Sequence, residues 1–313
     1  GEPTLAAEAG KLSKADLMTE MVDEFPELQG IMGRYYAAHE GLDAEVAAAL
    51  DEQYMPRFAG DELPQTKTGQ AVAIADRADT LVGIFGIGQI PTGNKDPFAL
   101  RRATLGVLRT IIEGGLDLDL RELIRESDQR FRKLQSIEFA DEVEEQVIDF
   151  MMDRLRAYYL EQDVAHDTFD AVSARRPTRP LDFDQRIRAV GEFRRLPEAE
   201  SLAAANKRIH NILRKADQEI PKAVDPALLS EAAEKELASK VEEVSAQVDP
   251  MFAQRRYEEA LQTLAGLRDA VDRFFDDVMV MADDENVRDN RLALLNQLGN
   301  LFLRVADISK LQS

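Results

Sequence analysis

The chain has 313 residues, 44% hydrophobic and 31% charged, a globular balance with room for two or three domains and their buried cores. A net charge of −20 argues against indiscriminate binding of DNA or other nucleic acid, and the lack of cysteine removes disulfides, thiolate zinc sites and thiol nucleophiles. No apolar run approaches the roughly 20 residues that span a bilayer, and the first 20 residues lack the order of a signal peptide, so a cytoplasmic protein without a membrane partner is expected.

The start, GEPTLAAEAGKLSKADL, enters a helical pattern without an initiator methionine, as a fragment lacking an N-terminal portion would. Leu17, Met21 and Phe25 make a first stripe at helical spacing, and Leu28, Ile31, Met32 and Tyr35 make the next after Pro26. MPRFAGDELPQ, 55–65, carries two prolines and a glycine and is expected to be a loop. A helix then runs through Val72, Ala75, Ala78, Leu81 and Val82. GIFGIGQIPTGNKDP, 83–97, interrupts it, and Pro97 opens a helix to about Glu113. Val143, Val147, Phe150, Met151, Leu155 and Tyr158 form a further long stripe, and RRPTRP, 175–180, reads as a proline-punctuated linker. Beyond it, helices are expected at 182–194, 198–216, 228–247, 255–276 and 285–311. The last two carry seams through Tyr257, Leu261, Leu264, Leu267, Val271 and Phe274, and through Leu294, Leu298, Leu301, Val305 and Ile308. No strand alternation or internal repeat stands out, so the fold class is all-α. The expected divisions are residues 1–118, a connecting stretch at 119–180, and 181–313.

Few residues suggest covalent chemistry. His39 precedes Glu40, a weak echo of the His-Asp pair of metal-dependent phosphohydrolases, and Asp76 and Asp79 could add acids. No second histidine lies nearby in sequence. The Gly88–Lys95 stretch is a poor phosphate loop, because Asn94 separates Gly93 from Lys95 and the preceding element is helical. The expectation is no catalytic residue, no metal ligand and no cofactor.

The charge is unevenly spread. Residues 175–215 hold eleven Lys/Arg against five acids, +6 in an otherwise −26 chain. In SLAAANKRIHNILRKADQEI, 201–220, Leu202, Ala205, Ile209, Leu213 and Ala216 are spaced to face a core, while Lys207, Arg208, Asn211, Arg214 and Lys215 share much of the opposite side. Cations there could hold phosphate and Asn211 could read a base edge, as in recognition of single-stranded RNA loops; a merely solvated face fits equally well. FFDDVMVMADDENVRDNRLALL, 274–295, reads as a folded corner. Val278 through Met281 are expected to tuck against the bundle, and Asp283 and Asp284 to cap the last helix.

Five stretches, in order, resemble the β subunit of bacterial two-subunit glycyl-tRNA synthetase. They are KADLMTEMVDEFPELQGIMGRYYA (14–37), DTLVGIFGIGQIPTGNKDPFALRRATLGVLR (79–109), ARRPTRPLDFDQRI (174–187), AAANKRIHNIL (203–213) and the 274–295 corner. The resemblance, to the C-terminal portion of such a subunit, implies an α2β2 assembly. In it the α subunit carries the ATP-, magnesium- and glycine-binding active site, and the β subunit binds glycine tRNA. It implies an HD-superfamily-like helical domain in the first half, with Tyr35 and Glu40 flanking His39 where metal-binding members offer His and Asp. It also implies a DALR-type anticodon-binding helical domain at 181–313. The tRNA-facing residues it suggests are Lys207, Arg208, Asn211 and Arg214 on one helix, Arg288 and Arg291 on another, and Arg175, Arg176 and Arg179 in the linker. Arg291 stands seven residues before Leu298 on the core seam, so it is either an RNA contact or a buried partner of Asp276 or Asp277. Two other readings of the chain remain: a phosphohydrolase using His39, and a structural module that holds the α subunit.

Overall fold

Apolar spacing and side-chain caps set fifteen α-helices among the residues described by the computed structural model, 1–58, 60–93, 95–134, 139–216 and 219–312. These residues hold no strand, only an isolated bridge between Thr92 and Lys95. None of their helices is long and apolar enough to cross a membrane. The chain divides into two units, Gly1–Tyr158 with Thr178–Leu181, and Tyr159–Pro177 with Asp182–Ser313.

The first unit contains α1 (Pro3–Leu12), α2 (Glu20–Glu24), α3 (Ile31–His39), α4 (Ala44–Glu52), α5 (Lys67–Gly86), α6 (Leu100–Glu113), α7 (Leu120–Arg132) and most of α8 (Val143–Leu160). The 20-residue α5 is its axis and packs on α1, α4, α6 and α7. Thr66 caps α5 by accepting from the Gly69 amide at 2.9 Å, and its hydroxyl donates to Glu52 at 2.5 Å. This approach requires glycine at 69, where an added Cβ would sit 1.9 Å from the Glu52 carboxylate. Arg77 is half-buried and donates to four backbone carbonyls, that of Ala73 on its own helix and those of Gln53, Tyr54 and Pro56, which tie α5 to the 53–56 turn. On α8, Val143, Val147, Met151 and Leu155 are buried as their spacing predicts.

The first stripe behaves differently. Leu17, Met21 and Phe25 are 43%, 42% and 47% exposed. The segment is not one helix but a 3-10 turn at Ala15–Met18, the five-residue α2 and a second 3-10 turn at Pro26–Leu28, so four-residue spacing does not align a face. Asp16 and Val22 are buried there instead, and Asp16 accepts from the Gly30 amide at 2.6 Å. Gly88 and Gly93 have positive φ between α5 and α6, and the Asp96 carboxylate caps α6 through the Leu100 and Arg101 amides. Asn94 lies outside the described residues.

The second unit contains α9 (His166–Ser173), nearly all of α10 (Pro180–Phe193), α11 (Ala199–Lys215), α12 (Ala232–Ala253), α13 (Tyr257–Ala265), α14 (Arg268–Asp277) and α15 (Glu285–Leu303). The helix expected over 255–276 is broken at Gly266–Leu267, yet its seam stays buried from Tyr257 to Phe274. The helix expected to reach 311 stops at Leu303, and Val305 and Ile308 complete the core from a turn and a 3-10 segment. Tyr159, Phe169 and Phe183 form an aromatic cluster with ring centroids 5.2–6.3 Å apart. Tyr257 donates to Asp182 at 2.6 Å, and burial followed by that carboxylate pushes its phenol up to about 12.

At the 278–281 corner, Val278 and Val280 are each 6% exposed whereas Met279 and Met281 are 74% and 55% exposed. The apolar tetrad alternates rather than tucking in as a whole, because the backbone leaves helix at Val278 and turns extended. Asp284 caps α15 by accepting from the Asn286 and Val287 amides.

A buried ion pair secures this corner. Glu234, fully buried in the first turn of α12, accepts from the amides of Ser230 and Glu231 at 2.8 and 2.9 Å and from the Arg291 Nε. Arg291 also donates to the Met279 carbonyl at 2.7 Å. Burial raises the Glu234 carboxyl, but the Glu231 amide, the Arg291 guanidinium and the Ser230 amide together hold it below the usual carboxylate range. A depressed folded-state pKa means that the pair stabilises above the ordinary carboxylate pKa and that this contribution is lost as pH falls through the folded value. Glu234→Gln is therefore expected to cost about 3–5 kcal/mol at neutral pH, since it strands a buried guanidinium. In thermal unfolding, the gap between wild type and variant should be widest near pH 7 and narrow below about pH 4.

Candidate nucleic-acid interface

Helix α11 begins after Pro197, and its alanine-rich sequence favours the helical state. Leu202, Ala205 and Ile209 are buried, while Leu213 and Ala216, expected to face the core, are only partly covered near the helix end. Lys207, Arg208, Asn211, Arg214 and Lys215 are all exposed. Arg214 and Lys215 stand in the last turn, where cations suit the helix's negative end. Lys207, Arg208, Asn211 and Lys215 line a shallow hollow of about 350 Å³ with Ala204 and Ile212.

Among the described residues these cations, like Arg175 and Arg176, have no carboxylate partner. Elsewhere in the basic stretch, Arg179 pairs with Asp117 and Asp119, Arg186 with Asp182, Arg188 with Asp184, Arg194 with Asp167 and Arg195 with Glu192. Among the described residues, none of Lys207, Arg208, Arg214 and Lys215 has a carboxylate oxygen within 4.0 Å. The sequence following them, Asp217 and Gln218, lies outside the described residues. Arg208 instead holds its guanidinium carbon 4.2 Å above the ring of Phe275 on α14. Phe275 is half-buried and meets the fully buried Phe274 edge-on, with centroids 5.6 Å apart.

The other expected tRNA-facing residues are placed differently. Arg291 is 6% exposed, and its partner is Glu234 on α12 rather than Asp276 or Asp277, so it belongs to the interior. Arg288 is turned back along its own helix start, donating to Glu285 at 3.1 Å with a longer bond to the Ala282 carbonyl. Arg175 and Arg176 are exposed, Arg176 with a left-handed backbone (φ 48°), and Arg175 edges a groove of about 1110 Å³ along α12 and α15. Arg179 is fastened to Asp117 in the first unit. The structure thus gathers Lys207, Arg208, Asn211 and Arg214 on one exposed face with Lys215 and does not bring Arg179 or Arg291 to it.

Comparison with known proteins decides the family. The family described as "Glycyl-tRNA synthetase beta subunit" matches residues 2–174, more than half of the chain, and "DALR anticodon binding domain" matches residues 202–308. The chain belongs to the glycyl-tRNA synthetase β-subunit family. It is 61% identical over 311 residues to a glycine–tRNA ligase β subunit of Marinobacter nauticus, covering 99% of this chain and 44% of that protein. It is 56% identical over 308 residues to the corresponding subunit of Pasteurella multocida, covering 98% and 44%. With that of Glaesserella parasuis it shares 56% identity over 312 residues, covering 99% and 45%. The chain thus spans less than half the length of these relatives.

Within this β-subunit family member, the α11 face falls inside the DALR segment. His39 ends α3 and is exposed, as are Tyr35 and Glu40. Among the described residues no group of three His, Asp or Glu side chains converges as a metal site would need. Asp76 pairs with Lys14, and Asp79 accepts a long 3.4 Å bond from Ser127. Phe275 was not legible as a site residue, because the seam spacing marks only Phe274 and leaves the second ring of the pair without a role.

The contrast between paired and unpaired cations gives a stability test. Lys207→Ala is expected to leave unfolding within about 0.5 kcal/mol of wild type. Arg186→Ala should cost about 3 kcal/mol. It removes the partner of Asp182 and the donor to the Arg304 and Val305 carbonyls, both at 2.7 Å. Urea unfolding of the two variants reads the difference directly.

Proposed function

We propose that the chain is the tRNA-binding part of a glycine–tRNA ligase β subunit, with the α11 face meeting the anticodon loop. The observation that carries this reading is the row of exposed cations on α11, inside the DALR segment, that have no carboxylate partner among the described residues. Lys207, Arg214 and Lys215 hold phosphates, and Asn211 offers an amide donor and acceptor to a base edge. The acidic remainder of the chain repels misplaced RNA and confines binding to this face.

In this reading the chain performs no bond-making step itself. It orients glycine tRNA so that the 3′ end reaches the α subunit of an α2β2 assembly, where ATP and magnesium support aminoacylation. Binding at a remote loop then contributes to rate through orientation at the reacting centre. Such an enzyme works in the cytoplasm.

Fluorescence anisotropy with labelled glycine tRNA across a salt series tests the proposal. Affinity should fall steeply with salt, and Lys207→Ala and Lys215→Ala should each lower the slope of log K against log salt by about 1. A tRNA with an altered anticodon should bind more weakly. Equal affinity for both tRNAs would sink the anticodon assignment, and unchanged slopes in both variants would remove α11 from the interface.

A further inference from the structure

Arg208 differs from its neighbours on α11 in one respect: its guanidinium is not loose in solvent but held 4.2 Å above an aromatic ring. The support beneath it is layered. Phe274 is fully buried, Phe275 packs edge-on against it at 5.6 Å, and the exposed Arg208 lies on Phe275. With one side of the guanidinium over the ring, the exposed Arg208 keeps another side open to solvent, and no carboxylate among the described residues turns it aside. A planar, cationic, pre-positioned face of this kind suits an unpaired nucleobase, which stacks on arginine planes as it does on aromatic rings. Asn211 stands three residues further along the same exposed face, within helical-neighbour distance of Arg208. Lys207 and Lys215 flank the hollow that Arg208 and Asn211 line.

We infer that Arg208, seated on Phe275, is a stacking platform for one splayed-out base of an RNA loop, whose edge is read by Asn211. The inference rests on the tRNA-binding reading above and adds to it a division of labour. Lys207, Arg214 and Lys215 bind backbone without regard to sequence, whereas Arg208 and Phe275 bind a base. Phe275 is a positioning residue: it acts by holding the guanidinium flat, so its removal lowers base binding without removing a charge.

The test uses the whole chain and an RNA stem-loop carrying the anticodon arm of glycine tRNA, together with a set of stem-loops each made abasic at one loop position. Arg208→Lys keeps the charge and loses the plane; Phe275→Leu keeps apolar bulk and loses the ring. Each should weaken binding of the intact stem-loop about tenfold, the scale of one lost base stack. The salt slope should stay that of wild type. One abasic stem-loop should bind wild type and both variants equally, because the stacked base is already gone. A variant that binds the intact stem-loop as wild type does overturns the platform. So does a loss of affinity that persists with every abasic stem-loop, which would make Arg208 a backbone contact while leaving the tRNA-binding reading intact. If wild type fails to bind glycine tRNA at all, that reading falls, and the platform with it. Thermal melting of Phe275→Leu checks its fold; should it melt early, the surface substitution Arg208→Lys decides alone.

Discussion

The second unit is arranged around the buried pair of Glu234 and Arg291, 57 residues apart in sequence and joined in the interior. Glu234 closes the first turn of α12, and Arg291 reaches from α15 both to it and to the Met279 carbonyl. One guanidinium thus fixes two helix starts and the corner between α14 and α15. An isolated buried ion pair adds little net stability compared with a well-packed apolar pair, because both charges must leave water. Its contacts join α12, the corner and α15 at one point, through Glu234 and the Met279 carbonyl. The end of α14, which carries Phe274 and Phe275, is held by that corner, so the surface beside α11 inherits its geometry from an interaction well inside the unit.

Charge pairing then decides which part of the basic stretch is open to an anion. Arg186 and Arg188 are matched by acids four residues back on α10, Arg195 in the following turn by Glu192, and Arg194 by Asp167 on α9. These arginines do structural work. Arg186 also rests 4.4 Å above the Tyr257 ring and donates to its hydroxyl, joining α10 to α13 and to the turn after α15. The cations of α11 have no such duties among the described residues. A formally acidic protein can in this way keep one face attractive to phosphate while its mean field keeps other RNA away.

Much of this was legible in the residues, and the exceptions have physical causes. The buried and exposed faces of α11 follow from spacing alone, since 3.6 residues per turn separate Leu202 and Ile209 from Lys207 and Asn211. The Asp284 cap follows from residue type. The family was readable from five ordered stretches. By contrast, the exposure of Leu17, Met21 and Phe25 depends on breaks at Thr19 and Phe25 that helical spacing does not reveal. The sequence offers Arg291 the nearby Asp276 and Asp277, but sequence proximity says little about ion pairs made across a bundle. Phe275 lies about 100° around its helix from the seam residue Phe274, and its meaning appears only when α11 brings Arg208 over it.

Photocrosslinking locates an anticodon loop on the chain. Glycine tRNA bearing a photoreactive base in the anticodon loop would be irradiated in complex with the chain, and the crosslinked peptides read by mass spectrometry. Crosslinks are expected within residues 204–215 and at Phe275, suppressed by excess unlabelled glycine tRNA. Specific crosslinks confined to the first unit, or to the paired arginines of α10, would contradict an anticodon-facing α11.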